Sequence, residues 1–328
     1  MSRFALPFLF LGSLTGCPKT EAPAGPTAEE VRAQRLAQRA LALPYSGPEQ
    51  VAGLPGALLF RANRGRTIFD GSGQLSFPPE VRRVWIDVGA HELESPLAAL
   101  LSRPDLGVIA IEPLWEKWAT WPNVPNLITI PFAIYSKEGS MTFHVNAYQA
   151  TSSLLPSAAD SRFDVATRTV EERPVTVIRL DRIMSRIPTG TCIEFLKTDV
   201  QGVDLQVLQS AGAEIKRVKV IRTEVSIRPM YEKQGESMST REEFETYLAE
   251  LGFHELGVSG DRPVDGKIAF VNLDFGREDW ECAVPRAAES IRQEVNESIG
   301  GHERALAAAR PLAESSTATS AKSSTAAR

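Results

Sequence analysis

The stretch VWIDVGAHELESPLAALL, residues 84–101, decides the fold class of this chain. An apolar run leads to Asp87, Gly89 and Ala90 follow at a turn, and helix-forming residues continue through SPLAALLSR, 95–103. In doubly wound α/β folds, ligands bind at the carboxyl ends of strands, where the backbone must approach them closely. A glycine at that turn has no side chain to prevent the approach. The stretch therefore predicts a strand, a ligand-binding turn and a helix.

The rest of the chain repeats this alternation of strand and helix. Helical stretches separate several apolar, strand-like runs, which lie at 81–89, 107–112, 127–134, 140–145, 174–180, 192–200 and 218–226. Two further runs, 253–259 and 267–275, close the domain by about residue 276. Strands that alternate with helices indicate a mostly parallel sheet covered on both faces. The predicted fold class is therefore α/β and Rossmann-like.

Acidic residues recur at the ends of the predicted strands. Glu112 ends the run GVIAIE, 107–112, and Asp199 follows the run FLKT, 195–198. If the strands are parallel, Asp87, Glu112 and Asp199 lie on one rim, where like charges repel each other. A cationic ligand would relieve that repulsion, and a carboxylate in the position of Glu112 suits the hydroxyl groups of a ribose. S-adenosylmethionine carries a sulfonium, an ammonium and a ribose, and is the cofactor we predict.

The motifs together resemble the FkbM family of S-adenosylmethionine-dependent methyltransferases. They are IDVGA (86–90), IEP (111–113), SSLL (152–155), VTVIRLD (175–181) and LKTDVQGVDLQVLQSAG (196–212), in the family's order over roughly 80–275. The resemblance implies a class I methyltransferase fold with a seven-stranded sheet. It also implies methyl transfer, commonly to an oxygen of a sugar or polyketide-type acceptor.

The resemblance also implies roles for individual residues. Asp87, Gly89 and Ala90 would line the methionine end of the cofactor, and we include His91 at the same turn among the cofactor-binding candidates. Glu112 would hold the ribose. Asp199 would border the transfer site, where we interpret it as the catalytic base or as a group that orients the acceptor. The reaction requires no metal, and no cysteine or histidine spacing in the sequence suggests a metal site.

The chain departs from the family at the opening turn. Where the family typically reads D-V-G-A-N-x-G, this chain has His91, Glu92 and Leu93 after Ala90. Either Leu93 takes a positive φ, at a cost of about 1–2 kcal/mol, or the helix begins early and the pocket narrows. Glu92 would place a negative charge near the carboxylate of the cofactor.

The N-terminus indicates export to a membrane surface. A basic residue and a short apolar run precede Leu14-Thr15-Gly16-Cys17, which resembles a bacterial lipobox whose cysteine is lipidated. We therefore divide the chain into a signal and lipobox segment (1–17), a linker with a short helix (18–60), a methyltransferase domain (61–276), and a helix with a Ser/Thr/Ala-rich tail (277–328). The net charge of −5, from 36 basic and 41 acidic residues, argues against nucleic acid as a partner.

Two functions remain open on the sequence alone. The first is an S-adenosylmethionine-dependent methyltransferase that acts on a hydroxyl group of a small-molecule or glycan acceptor. The second is a non-catalytic surface lipoprotein that uses a degenerate methyltransferase fold for binding or as a scaffold. The lipobox predicts a periplasmic or outer-membrane location, whereas an uncleaved or misassigned N-terminus would leave the chain in the cytoplasm with its methyl donor. Whether Cys192 and Cys282 form a disulfide is also left open.

Overall fold

A computed structural model describes residues 54–158, 164–232, 238–260, 263–264, 267–282 and 286–300. The predicted lipobox at Cys17, the linker helix and the Ser/Thr/Ala-rich tail lie outside these residues. Within the part of the chain that the structure describes, every helix is too short or too polar to cross a bilayer.

The domain is built on a mixed seven-stranded sheet in the order β3-β2-β1-β7-β8-β12-β9. The first five strands in this order are parallel, and β12 runs antiparallel to both of its neighbours. The strands are β1 (Arg83–Val88), β2 (Leu106–Ile111), β3 (Leu127–Ile130), β4 (Ala133–Ile134), β5 (Gly139–Asn146), β6 (Thr169–Ile178), β7 (Cys192–Thr198), β8 (Val218–Ser226), β9 (His254–Ser259), β10 (Pro263–Val264), β11 (Lys267–Ile268) and β12 (Phe270–Gly276).

Helices cover both faces of this sheet. They are α1 (Gly56–Ala62), α2 (Leu97–Ser102), α3 (Trp115–Trp118), α4 (Asp164–Thr167), α5 (Asp181–Met184), α6 (Asp204–Ser210), α7 (Arg241–Glu250) and α8 (288–300), with 3-10 turns at Gln149–Thr151 and Gly212–Arg217. Successive side chains of a strand point to opposite faces. Accordingly, Val84 and Ile86 of β1 belong to one buried apolar cluster, and Trp85 belongs to another. The α/β, Rossmann-like prediction is confirmed.

The predicted strand 127–134 is two strands in the structure. Pro131 separates β3 from β4, because proline has no N–H to donate to a ladder. β3 ends at the edge of the main sheet, and β4 pairs with β6 in a separate three-stranded sheet, β4-β6-β5. The strands predicted at 140–145 and 174–180 therefore form this small sheet rather than part of the main one.

The packed region extends past both of the predicted limits, 61 and 276. Helix α1 begins at Gly56, and its Leu59 is fully buried in the core. At the other end, Ile291 and Val295 of α8 are fully buried. A disulfide joins Cys192, the first residue of β7, to Cys282, with their Cα atoms 5.7 Å apart. That separation lies in the usual range for disulfides, and the bond ties the chain just before α8 to the sheet.

Candidate active site

A cavity of about 460 Å³ opens at the carboxyl ends of β1, β2, β7 and β8. Because these four strands are parallel, the residues that follow them meet at one edge of the sheet. Of the six residues predicted for the site, five line the cavity: Gly89, Ala90, His91, Glu112 and Asp199. The structure therefore brings the strand-end residues together as the sequence predicts.

Asp87, the sixth predicted residue, lies behind the cavity wall. Its side chain is buried, and Oδ1 lies 3.3 Å from Nζ of Lys197, which does line the cavity. Burial raises the pKa of Asp87 to about 6, although the charge of Lys197 opposes that rise. Oδ2 of Asp87 is buried without a hydrogen-bond partner among the described residues. Asp87 therefore acts on the cavity through Lys197 and not as a lining residue.

Lys197 connects two of the carboxylates. Its Nζ lies 3.3 Å from Asp87 Oδ1 and 3.3 Å from Asp199 Oδ2. Burial acts to lower the pKa of Lys197, but the two carboxylates outweigh that effect and raise it. The lysine is therefore charged at neutral pH and partly neutralises the acidic rim.

Glycine is required at position 89 because the backbone that follows β7 passes close to its Cα. Its φ is +78°, and a Cβ built on it would lie 2.0 Å from the backbone oxygen of Asp199. No larger side chain fits that space, and the positive φ favours glycine as well. The sequence assigns this glycine to close ligand approach. The structure adds that its first contact is the backbone after β7, so the glycine also holds two strand ends together.

In the turn that departs from the family pattern, Leu93 takes the positive φ, which is the strained of the two alternatives. His91 has φ +41° and Leu93 has φ +61°, and helix α2 begins only at Leu97. The other alternative, an early helix that narrows the pocket, is wrong. Leu93 is fully buried in an apolar cluster with Trp118 and Trp121, and it does not line the cavity. The side chain at this position points into the core, so the lost glycine leaves the cavity open.

Glu92 lies beside the cavity without lining it, since its carboxylate is within 4.8 Å of the side-chain ligand atoms of His91 and Glu94, which do line it. Its Oε1 lies 3.4 Å from Nζ of Lys117, and its side chain does not line the cavity. The carboxylate that this turn contributes to the cavity is Glu94.

Glu112 is held in place by the turn that it faces. Its Oε2 accepts a hydrogen bond from the backbone N–H of His91 at 3.0 Å, and its Oε1 accepts one from Leu114 at 2.9 Å. Each carboxylate oxygen keeps further acceptor capacity for a ligand hydroxyl. Burial raises the pKa of Glu112 to about 7 in spite of these two bonds. Burial also lowers the pKa of the His91 imidazole to about 4, so that ring is neutral at neutral pH.

Sequence reasoning missed a second group of side chains, centred on Gln201. Its Nε2 donates to Asp199 Oδ1 and to Glu224 Oε2, at 2.8 Å each. Its Oε1 accepts from the hydroxyl of Tyr231 at 2.7 Å, and its backbone oxygen accepts from the hydroxyl of Ser153 at 2.7 Å. Glu224 lies near the carboxyl end of β8, which is parallel to β7. Asp199 is predicted because it is an acidic residue at the end of a strand, and the same criterion would have selected Glu224.

The donor set fits a cofactor with a cationic part and a ribose. Glu94, Glu112, Asp199 and Glu224 line the cavity, and Lys197 and Arg222 are the cations among its charged lining residues in the described chain. Of these, Arg222 is engaged with the buried Asp274 at 2.7 Å. The residual charge of the cavity is therefore negative, and Glu112 keeps lone pairs for hydroxyl groups.

A family match over much of the chain identifies its relatives. Residues 87–255 match the methyltransferase FkbM domain, whereas no curated protein matches the chain. The chain is similar to the solved antibiotic-resistance methyltransferase Kmr (13% identity, 61% of this chain and 89% of that one, TM-score 0.32).

It is also similar to the Burkholderia thailandensis 1,6-didemethyltoxoflavin-N1-methyltransferase, solved with 1,6-didemethyltoxoflavin and S-adenosylhomocysteine (11% identity, 72% and 93% covered, TM-score 0.32). Because the FkbM match covers more than half of the sequence, the chain belongs to the FkbM methyltransferase family.

Proposed function

We propose that the chain transfers the methyl group of S-adenosylmethionine to a hydroxyl oxygen of a sugar-like or polyketide-like acceptor. The observation that carries this proposal is the cavity at the carboxyl ends of β1, β2, β7 and β8. Glu112, Asp199 and Lys197, which is paired with Asp87, all meet there. Family membership supports methyl transfer as the reaction class.

In this proposal the cofactor is held by residues after β1 and β2. Glu112 binds the ribose hydroxyls, since its oxygens are fixed by two backbone N–H groups and keep further acceptor capacity. The backbone at Gly89 and Ala90 lies beside the methionine part, with His91 at the edge of the turn. When bound, the cofactor supplies a methyl carbon activated by a positively charged sulfur.

The protein's own part in the reaction is alignment and proton removal. In-line displacement requires the acceptor oxygen to lie close to the methyl carbon, so holding both partners in one cavity lowers the barrier. Asp199 is the base in this proposal, because its carboxylate lines the cavity and is 30% exposed. A base placed within reach of the acceptor hydroxyl contributes general base catalysis.

Calorimetry on the full chain tests the cofactor proposal. We expect S-adenosylmethionine to bind with a Kd in the micromolar range, and Glu112→Ala to remove detectable binding. Glu172→Ala is the matched control, since that carboxylate is 67% exposed on β6, away from the cavity, and should leave the Kd unchanged. Absence of binding by the native chain, or equal binding by Glu112→Ala, would contradict the proposal.

The Cys192–Cys282 disulfide favours a second candidate function, a non-catalytic surface lipoprotein. Disulfides persist in oxidising compartments, whereas S-adenosylmethionine is made and kept in the cytoplasm. In this alternative a lipidated Cys17 anchors the chain to a membrane, and the cavity binds a small molecule or glycan without reaction. Incorporation of radiolabelled palmitate that depends on Cys17, together with no cofactor binding, would favour the lipoprotein.

A further inference from the structure

We propose that Glu224 is a second catalytic carboxyl of this site, and that Asp199 and Glu224 accept the acceptor's proton as a pair bridged by Gln201. The inference rests on the proposed methyltransferase function and deepens it. Glu224 lies outside the motifs from which the site was predicted. Its place is set by sheet register and by the side chain of Gln201, which donates a hydrogen bond to it.

Strand register places the two carboxyls side by side. Thr198 of β7 pairs with Thr223 of β8, and the hydroxyl groups of these two threonines lie 2.8 Å apart. The next residues along the chain are Asp199, just after β7, and Glu224 of β8. Both line the cavity, Asp199 with a partly exposed side chain and Glu224 with a buried one.

The side chain of Gln201 bridges Asp199 and Glu224. Its amide nitrogen donates to one oxygen of each carboxyl at 2.8 Å. The amide orientation is fixed on the other side, because Tyr231 donates to Oε1 at 2.7 Å. The backbone of Gln201 has φ +60°, a conformation that costs a non-glycine residue free energy and persists only where its surroundings hold it. Here the hydroxyl of Ser153 holds the Gln201 carbonyl.

The two carboxyls have different surroundings. Nζ of Lys197 lies 3.3 Å from Oδ2 of Asp199. Burial raises the pKa of Glu224 well above its ordinary value, and the charges of Asp199 and Asp204 add to that rise while Lys197 opposes it. Glu224 therefore keeps its proton to a higher pH than an ordinary glutamate does.

The tyrosine and the helix beside the pair do not supply a competing base. Tyr231 is buried, and burial raises its pKa well above the ordinary value, so it stays protonated. Asp204, at the start of α6, is occupied by the backbone N–H groups of Val200 and Gly202, at 3.1 and 3.2 Å.

The reaction step balances with this pair. As the acceptor oxygen bonds to the methyl carbon, the bond from carbon to sulfur breaks and its electron pair stays on sulfur. The acceptor's O–H proton passes to the ionised carboxylate of the pair. The products are a methyl ether, a neutral thioether and a pair that carries two protons.

The first test measures the pair in the full chain without cofactor or acceptor. Carboxyl ¹³C resonances of labelled Asp and Glu are followed against pH, with the Glu224 signal identified by its loss in Glu224→Gln. We expect Glu224 to titrate above the ordinary glutamate range and Asp199→Asn to lower its midpoint, because a like charge has been removed. The exposed Glu172 serves as the internal control. A Glu224 midpoint that ignores Asp199→Asn would overturn the pair.

The second test measures transfer of radiolabelled methyl from S-adenosylmethionine to a panel of methyl glycosides. Asp199→Asn should lower kcat roughly a hundredfold to ten-thousandfold, whereas Glu224→Gln should change the pH profile of kcat, with the cofactor Kd unchanged in both variants. If Glu224→Gln does not fold, Glu224→Asp should retain activity with a displaced pH profile. Gln201→Leu removes a donor from the ionised pair, so it should move the acidic limb of kcat to higher pH. Gln201 is a positioning residue, and a merely structural role would leave that limb in place.

The possible failures are distinguishable. Native cofactor affinity with a pH profile of kcat that Glu224→Gln does not change would overturn the pair and leave the proposed function intact. A native chain that binds no cofactor would overturn the proposed function, and the base role with it. A native chain that binds cofactor but methylates no glycoside would overturn the base role for such acceptors.

Discussion

At the scale of single residues, the turn after β1 shows how a side chain can hold a strained backbone conformation. Leu93 has φ +61° in this turn. A leucine in this conformation costs about 1–2 kcal/mol of backbone strain. The side chain is fully buried beside Trp118 and Trp121, and that burial stabilises the fold by more than the strain costs. Because the side chain faces the core, the substitution changes the turn without filling the cavity.

Restoring glycine at position 93 should therefore destabilise the protein. Leu93→Ala loses the buried side chain and keeps the strain, at a cost of roughly 2–5 kcal/mol. Leu93→Gly loses the same packing but relieves the strain, so it should be about 1 kcal/mol more stable than Leu93→Ala. Urea unfolding measures both variants. A glycine variant more stable than the native chain, or a changed cofactor Kd, would contradict this explanation.

The buried carboxyl of Glu112 should make stability depend on pH. Its pKa is raised from 4.5 to about 7 by burial, so the folded state binds more protons than the unfolded state between these values. Its contribution to stability is complete below pH 4.5 and is lost as the pH rises to about 7. A difference of one between the folded and unfolded pKa values corresponds to about 1.4 kcal/mol, which gives a total on the order of 3 kcal/mol.

Glu112→Gln isolates this contribution. The amide cannot accept from both His91 and Leu114, so the variant should lose a constant amount of stability at every pH. In addition to this constant loss, the unfolding free energy of Glu112→Gln minus that of the native chain should rise between pH 4.5 and 7, because only the native chain loses the contribution of Glu112. Urea unfolding at several pH values measures the difference. A constant difference would show that Glu112 titrates alike in the folded and unfolded states.

Part of the site was predictable because strand ends can be recognised in sequence. Asp199 and Glu112 follow apolar runs, and parallel strands bring such residues together. Gln201 carried no comparable signal, since its role depends on a positive φ and on Tyr231, which is distant in sequence. The position of Asp87 behind Lys197 also required the register of β1 against β7.

At the scale of secondary-structure elements, most strands lie where the alternation of strands and helices in the sequence predicts them. The sheet to which each strand belongs cannot be predicted from that alternation. The apolar runs 140–145 and 174–180 resemble the core strands, yet β5 and β6 form the small sheet with β4. Pro131 is the local cause, because it ends β3 and lets the chain leave the main sheet.

Helix α8, which the sequence predicts to lie outside the methyltransferase domain, packs against it. Its buried residues recur at Ala288, Ile291, Val295 and Ser298, the spacing of one helix face. That face packs with Ala99 and Leu100 of α2. Asn296, Ile299 and Gly300 at its far end line the cavity. The matched family domain ends at 255, so this wall is contributed by sequence outside it.

The disulfide should stabilise the attachment of α8. It closes a loop with a sequence separation of 90 residues, for which the loss of chain entropy in the unfolded state is worth roughly 4–5 kcal/mol. Reduction of the native chain should lower the unfolding free energy and speed amide exchange in 288–300. The double variant Cys192→Ala with Cys282→Ala is the control, and it should show no response to reductant. Equal responses of the two proteins would mean that the bond contributes nothing.

For the whole molecule, two features concern the compartment in which the chain folds. The Cys192–Cys282 bond requires an oxidising environment to persist. The lipobox-like sequence that ends at Cys17 would direct the chain to such an environment. The methyl donor proposed for the cavity is cytoplasmic, so an exported chain would need donor delivered to it, or would bind its ligand without reaction.

Thiol trapping in cells measures where the chain folds. Cells are lysed in an alkylating agent, and the labelled cysteines are located by mass spectrometry. If the full chain is exported, Cys192 and Cys282 should resist alkylation, because the bond has formed. A chain that starts at residue 18 with an added methionine should remain in the cytoplasm, where both thiols are reduced and become alkylated. Cys17→Ala in the full chain separates lipidation from export, since it removes palmitate but does not delete the apolar run. Alkylation of both cysteines in the full chain would place its folding in the cytoplasm beside the methyl donor, and would remove the objection to catalysis.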